Sequence, residues 1–285
     1  MITRTLDRHE PPRSSAVTRH PITAFLLLVY ALTLAVVLTP FSEEIGGSLE
    51  NVVGVAVPAF LVVAVVCGAG GVRDLLRRCL RWRVPLRWYA VALALPLLVL
   101  VLATVLHGQA PLRALADNWS VLFTSFLPTF ALMLALFSLP EESGATGFLF
   151  ARLQDRHGTM RAVLLTTVFF WLWHVPSTVR DSDTLMAAAE LLAFYLVGHL
   201  TSRVLAGWLY NATGGSVLIV GIFHAMFNAT VNATGFGVAV LGLPQVDVML
   251  MSTGVLALAA AVVTIATRGS LGRRGQPRPA PTYAR

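Results

Sequence analysis

Eight apolar stretches, each about as long as a membrane-crossing helix, recur along this sequence of 285 residues. A helix that rises about 1.5 Å per residue needs about 20 residues to cross roughly 30 Å of hydrocarbon. Only 12% of the residues are charged, whereas soluble domains carry about 25%. The pattern predicts an all-α fold, a polytopic membrane bundle of about eight transmembrane helices. The predicted helices cover residues 22–39, 52–70, 88–106, 120–151, 161–179, 185–209, 214–233 and 247–267.

The arginines predict how this bundle is oriented. Nineteen of the 21 lie at the termini or near helix ends on the same side as the termini, which leaves only Arg113 and Arg180 on the other side. By the positive-inside rule, the arginine-rich side is cytoplasmic, and both termini are then expected in the cytoplasm. Topology therefore accounts for the formal net charge of +7. No nucleic-acid partner is expected, because the basic residues do not cluster on a soluble domain.

The chain divides into three parts by composition. We expect residues 1–21 to be a disordered cytoplasmic head, 22–267 the transmembrane domain with a functional core at about 120–235, and 268–285 a disordered cytoplasmic tail. The first apolar stretch has no small-residue cleavage pattern after it, so it is interpreted as a helix rather than a removable signal peptide. A composition rich in Ala, Val and Leu and free of Lys suggests a GC-rich bacterial genome, and hence a bacterial plasma membrane. The oligomeric state stays open.

Two adjacent acids, Glu141 and Glu142, interrupt the fourth apolar stretch. A charged side chain at bilayer mid-depth costs roughly 2.5 to 3.5 kcal/mol on insertion scales, so an intramembrane acid is a functional-site hypothesis by default. Counted along straight helices, Glu141 lies roughly 16 Å, His174 roughly 20 Å and His224 roughly 15 Å from the cytoplasmic edge. Polar groups at this depth avoid lipid, so we expect these three to face one another. Pro140 is expected to break or kink the helix before the acids.

Two spacings of four residues indicate shared helix faces. Phe170 and His174 are four apart, as are His224 and Asn228, which places each pair on adjacent turns of one face. Taken alone, paired Glu residues at a helix end are typical of a solvated cap, which would apply if the fourth helix ended at Leu139.

Polar residues of the sixth predicted helix have a structural interpretation. His199, Ser202 and Arg203 are interpreted as residues that hydrogen-bond between helices, with Arg203 near the cytoplasmic edge.

These residues, in this order, resemble the motifs of the CPBP family of intramembrane proteases, also called the Abi or type II CAAX prenyl protease family. The family pattern is EExxxR, usually followed by Gly-Phe, then FxxxH, then HxxxN or HxxxD, each on its own transmembrane helix. The resemblance covers about residues 139–228 and implies an intramembrane endopeptidase acting on a membrane-associated or lipidated polypeptide. The matching positions are Glu141, Glu142, Gly147, Phe148, Phe170, His174, His224 and Asn228.

The resemblance also implies roles for these residues. Glu141 is the expected general base, with His174 helping to hold the attacking water and Glu142 orienting and tuning Glu141. His224 and Asn228 are the expected donors to the oxyanion. No Ser or Cys nucleophile stands in a recognisable motif.

A metal-dependent mechanism is the alternative. Members of the family are commonly called metalloproteases, and Glu141, His174 and His224 would form a His2Glu zinc site with an open water position, although the HExxH motif is absent. Asn228 beside His224 suits an oxyanion pair better than a metal shell, so the leading expectation requires no cofactor.

One position departs from the family pattern. The arginine expected four residues after Glu142 is Thr146 in this chain. Three outcomes follow: another cation compensates, with Arg203 the nearest candidate by depth, or Glu142 is protonated, or the site is weakened. The alternative function is therefore a catalytically weakened or inactive membrane protein with a bacteriocin-immunity or scaffold role.

Overall fold

The computed structural model describes residues 15–39, 49–108, 110–231 and 235–273, and every regular element within these ranges is helical. Seven helical stretches are long and apolar enough to cross a membrane, and a shorter apolar helix precedes them. The predicted all-α membrane bundle is therefore confirmed. In chain order the helices are α1 (Pro21–Val37), α2 (Leu49–Cys79), α3 (Leu86–Leu106), α4 (Leu122–His157), α5 (Thr159–Asp181), α6 (Leu185–Ala212), α7 (Val217–Val231) and α8 (Gln245–Ala266).

The outer surface of the bundle is apolar, as a bilayer requires. Large hydrophobic side chains such as Leu61, Leu164 and Leu258 are half or more exposed. Polar side chains instead lie inside, where other helices can satisfy them. The protein is thus an integral membrane protein, and Glu141, Glu142 and Arg203 are ionisable groups turned into its core.

Helix α7 lies at the centre of the bundle. Most of its residues are buried, and it contacts α2, α3, α4, α6 and α8. Small residues let α4 approach this centre closely. A Cβ added to Gly147 would lie 2.8 Å from Leu75 Cδ1 and 3.1 Å from Val217 Cγ2, so a larger residue there would push the three helices apart.

Helix α4 does not break at Pro140, so of the two outcomes expected there the break is wrong and the kink stays a prediction. The helix runs on by alternating α-helical and π-helical turns, with π turns at Met133–Ser138 and Ser143–Phe150 on either side of the segment that holds the two acids. A proline lacks an N–H and crowds the preceding turn, and local π adjustments relieve this in membrane helices. The solvated-cap interpretation is wrong as well, since Glu141 is 4% exposed and Glu142 fully buried.

The described parts of the head and tail carry local structure and contacts, and the division of the chain into head, transmembrane domain and tail stays a prediction. A short helix at Ala16–Arg19 precedes α1. At the other end, Leu271 is fully buried and Arg273 pairs with Asp155 at 2.5 Å. The rest of both predicted segments, 1–14 and 274–285, lies outside the described residues.

Candidate active site

Four of the predicted site residues line one cavity inside the bundle. The cavity has a volume of about 500 Å³, within the range of about 300–1,000 Å³ that ligand sites occupy. Distant segments of the chain supply these four side chains, so only the packing of the helices brings them together. They are Glu141 from α4, His174 from α5, and His224 and Asn228 from α7.

Glu142, the fifth predicted residue, lies behind the cavity wall in a buried ion pair with Arg203. The Arg203 guanidinium donates to both carboxylate oxygens, with Nη1 3.0 Å from Oε2 and Nη2 2.5 Å from Oε1. The Arg203 side chain is 5% exposed and that of Glu142 is not exposed at all. The Thr146 hydroxyl donates to the same carboxylate. A charge-assisted bidentate pair of this kind fixes the carboxylate rotamer and favours its ionised form.

His224 stands between the two carboxylates. Its Nδ1 lies 3.0 Å from Glu142 Oε1, and its Nε2 lies 4.0 Å from Glu141 Oε2. The other oxygen of Glu141, Oε1, is buried and has no hydrogen-bond partner among the described residues. Glu142 is therefore fully engaged by neighbouring donors, whereas Glu141 presents a carboxylate that can accept a proton from a group in the cavity.

His174 is oriented by its own helix. Its Nδ1 lies 2.7 Å from the backbone carbonyl of Phe170, one turn earlier. This contact assigns the ring proton to Nδ1, because a carbonyl oxygen can only accept. The other nitrogen, Nε2, is then the acceptor. The FxxxH spacing thus has two effects. The Phe170 carbonyl orients the His174 imidazole, and the Phe170 ring packs beside that imidazole, with ring centroids 5.7 Å apart.

Sequence reasoning named Arg203 as a candidate partner of Glu142 but did not place the polar stripe of α6 along the cavity. Tyr195, His199 and Arg203 follow one another at intervals of four residues and all line the cavity. The His199 and His174 ring centroids are 4.6 Å apart, and the Arg203 guanidinium lies 4.1 Å from the centre of the Phe170 ring. The repeated interval of four on a membrane helix was the signal that could have placed these residues at the site.

The interpretation of α6 as a helix of interhelical hydrogen bonds is only partly right. Arg203 does pair across helices, because its buried side chain meets Glu142 of α4. Ser202 donates to the His199 carbonyl of its own helix at 3.1 Å. His199 Nδ1 has no hydrogen-bond partner within the described ranges.

The residues proposed as zinc ligands are not arranged as a metal site. Among the described residues, no group of three or more His, Cys, Asp or Glu side chains is placed to hold a metal ion. His224 directs Nδ1 at Glu142 and His174 directs Nδ1 at a backbone carbonyl. Both Nδ1 contacts leave Nε2 free, as in metal-bound histidines, but Glu141, His174 and His224 are not grouped so as to hold zinc together in this arrangement.

The fold and the site define an intramembrane protein with a carboxylate–imidazole centre buried in a helical bundle. Residues 123–230 match the family model described as type II CAAX prenyl endopeptidase Rce1-like. The chain is also similar to CAAX prenyl protease 2 of Methanococcus maripaludis, at 27% identity over 146 residues. These matches confirm the resemblance to the CPBP family over the segment that holds all three motifs.

The likeness to this relative covers part of each chain. The aligned residues make up 50% of this chain and 51% of the relative, so the chain spans about half the length of the curated relative that it matches. The match to the family model begins one residue after the start of α4 and ends one residue before the end of α7.

Proposed function

We propose that this protein is an intramembrane endopeptidase that hydrolyses a peptide bond of a membrane-associated or lipidated polypeptide in the bacterial plasma membrane. The observation that carries the proposal is the convergence of Glu141, His174, His224 and Asn228 on one cavity within the bundle. Hydrolysis needs a base for water, donors for the oxyanion and a proton for the leaving amine. These four residues supply all three functions.

Glu141 is the proposed general base. Its carboxylate takes a proton from a water molecule, whose oxygen attacks the carbonyl carbon of the scissile bond. His174 holds that water through Nε2, the nitrogen that its bond to the Phe170 carbonyl leaves as an acceptor. When the tetrahedral intermediate collapses, the C–N bond breaks and the proton on Glu141 passes to the leaving amine.

His224 and Asn228 are the proposed oxyanion donors. They lie one turn apart on α7 and both face the cavity. His224 can donate from Nε2 to the oxyanion and from Nδ1 to Glu142 only as an imidazolium, and carboxylates flank it on both sides. The Asn228 amide supplies the second donor without a change of charge.

Arg203 is proposed as a positioning residue that acts through Glu142. Its guanidinium donates one hydrogen bond to each oxygen of the Glu142 carboxylate. That carboxylate in turn accepts a hydrogen bond from His224 Nδ1. In the family pattern an arginine four residues after the second Glu stands where this chain has Thr146. The pairing with Arg203 supports the first of the three outcomes, a compensating cation from another helix. This pairing counts against the main argument for an inactive immunity or scaffold protein, which was the missing arginine.

The proposed chemistry is independent of a metal ion. It is supported by the placement of the site residues, because Glu141, His174 and His224 are not grouped so as to hold a metal ion together. Zinc, if bound, would supply an activated water, a task that Glu141 performs here as a base.

A comparison of Glu141→Gln with the wild type tests the function. The two proteins are expressed at equal membrane abundance, and membrane proteomes are compared for polypeptides that accumulate uncleaved. Glu190→Gln is the matched control, because Glu190 is an exposed acid on a membrane helix away from the cavity. Uncleaved polypeptides are expected with Glu141→Gln alone. Identical proteomes for all three proteins would favour a non-catalytic role.

A further inference from the structure

The cavity occupies only one half of the bundle. On α5 and α7, which begin at the arginine-rich side, its lining runs from the catalytic histidines onward to Arg180 and Val231. On α8, which runs the other way, the lining begins at Gln245 at the start of the helix and ends at Leu256 near its middle, and on α6 it comes from the middle of the helix, from Phe194 to Arg203. The lining of α5, α7 and α8 therefore places most of the cavity between mid-depth and the side that holds Arg180.

The mouth at that side is polar and accessible. Gln245 and Asp181 are exposed at helix ends, and the Arg180 side chain is 27% exposed. Arg180 pairs with Asp181 and with Glu50 at the start of α2. Deeper in, aromatic and aliphatic side chains such as Phe137, Phe227 and Met249 share the lining with the catalytic groups. Such a channel admits an extended, largely apolar peptide from water or from the adjacent leaflet.

The other half of the bundle is closed beneath the catalytic level. The Glu142–Arg203 pair is buried. Beyond it, Arg78 Nη1 donates to the Gly147 carbonyl at 3.3 Å and to the Tyr210 hydroxyl at 3.0 Å.

A second set of contacts ties the α2–α3 and α6–α7 connections together on the same side. Arg81 donates to the Gly214 carbonyl, and Ser216 donates to the Arg81 carbonyl, both at 2.8 Å. Side chains and loops thus separate the site from the arginine-rich face.

We infer that the substrate reaches Glu141 from the extracytoplasmic side, and that the substrate class is the extracytoplasmic segment of a membrane-anchored polypeptide. The positive-inside rule assigns the closed, arginine-rich face to the cytoplasm, so the mouth at Arg180 opens on the opposite side. The substrate class rests on the proposed function. The direction of access does not, because it follows from the shape of the cavity and the arginine distribution.

Cysteine accessibility tests the direction of access without any need for turnover. The two native cysteines, Cys67 and Cys79, are replaced by alanine in the full chain, and single cysteines are introduced by Ser177→Cys in the cavity, Asp183→Cys in the exposed α5–α6 loop and Arg83→Cys in the exposed α2–α3 loop. A membrane-impermeant methanethiosulfonate is applied to intact bacterial cells and to inside-out vesicles. A mass-tagged maleimide then reports the thiols that did not react.

Ser177→Cys and Asp183→Cys are expected to react in intact cells, and Arg83→Cys only in inside-out vesicles. Reaction of Ser177→Cys only in inside-out vesicles, or from neither side while it still reacts after denaturation, overturns the inference. Reaction of Arg83→Cys in intact cells and of Asp183→Cys only in inside-out vesicles overturns it too, because the bundle would then lie in the membrane in the opposite orientation. The substrate class is checked separately among the polypeptides that accumulate with Glu141→Gln. Uncleaved extracytoplasmic segments support it, and cytoplasmic C-terminal tails contradict it.

Discussion

The guanidinium of Arg203 on α6 donates hydrogen bonds to both carboxylate oxygens of Glu142 on α4. The family pattern would place this arginine on α4 itself. The two residues are 61 positions apart in the sequence. A cation thus meets the second motif glutamate from a different helix. We expect the pair to control both the stability of the bundle and the orientation of His224.

Replacing Arg203 should destabilise the protein through an unpaired buried charge. Arg203→Ala is expected to lower the free energy of unfolding by about 3–5 kcal/mol, and Arg203→Lys by less, since a lysine cannot bridge both oxygens. Thermal unfolding in detergent measures both. The double variant Arg203→Ala/Glu142→Gln should recover much of the stability but not the proteolytic activity. Equal stability of Arg203→Ala and wild type would show that the pair contributes nothing.

An arginine placed on α4 at position 146 should support activity only when Arg203 is removed. Thr146→Arg alone is expected to be destabilising by about 1–3 kcal/mol, because Thr146 is 2% exposed and its surroundings are filled. The exchange Thr146→Arg/Arg203→Thr should instead regain activity relative to Arg203→Thr, measured on a substrate identified with Glu141→Gln. Greater activity of Thr146→Arg in the presence of Arg203 would indicate that the wild-type site is weakened.

Close approach of α4 and α2 should make Gly144 intolerant of a methyl group. A Cβ there would lie 2.5 Å from Val55 Cγ1 and 3.0 Å from the Val55 carbonyl oxygen. Gly144→Ala is expected to cost about 1–3 kcal/mol through overpacking, seen as a lower midpoint of thermal unfolding. Gly254→Ala is the control, because no heavy atom lies within 4 Å of the added carbon. Helix propensity favours alanine over glycine, so a Gly144→Ala variant as stable as Gly254→Ala would show that the close approach to Val55 does not limit packing.

Removing divalent metal ions should leave proteolysis unchanged. Solubilised enzyme is dialysed against EDTA or 1,10-phenanthroline, and cleavage of the identified substrate is followed with time. Rates within about twofold of the untreated enzyme are expected, since Glu141 acts as the base without a Lewis acid. Loss of cleavage that zinc then restores would refute the metal-free mechanism.

The contact between His107 and Asp247 should make stability depend on pH. The Ala103 carbonyl and then the Asp247 carboxylate raise the pKa of His107 above its ordinary value of 6.5. A raised pKa in the folded protein means that the protonated ring stabilises the fold below pH 6.5, and that this stabilisation is lost as pH rises through the raised value. Wild type should therefore unfold at a higher temperature than Asp247→Asn at pH 6, with the difference fading towards pH 9. A difference that is constant with pH would exclude this ion pair as the cause.

Local sequence was sufficient where a property depends on neighbouring residues. The bounds of α3 were predicted within two residues, because the length of an apolar run determines where a helix can cross the membrane. The pairs Phe170–His174 and His224–Asn228 followed from helical periodicity alone. A break at Pro140 was wrongly expected because π turns on both sides accommodate the proline, and their position depends on how α4 packs against its neighbours.

By itself, the sequence determined that the chain is an apolar helical bundle, which of its faces carries the arginines, and which side chains have the chemistry for hydrolysis. Tertiary structure alone decided that the cation paired with Glu142 is Arg203 of α6, that His199 lies against His174, and that the cavity is closed towards the arginine-rich face. Composition and periodicity act over a few helical turns. Contacts between helices far apart in the chain depend on the relative rotation and depth of whole helices, and only their packing sets these.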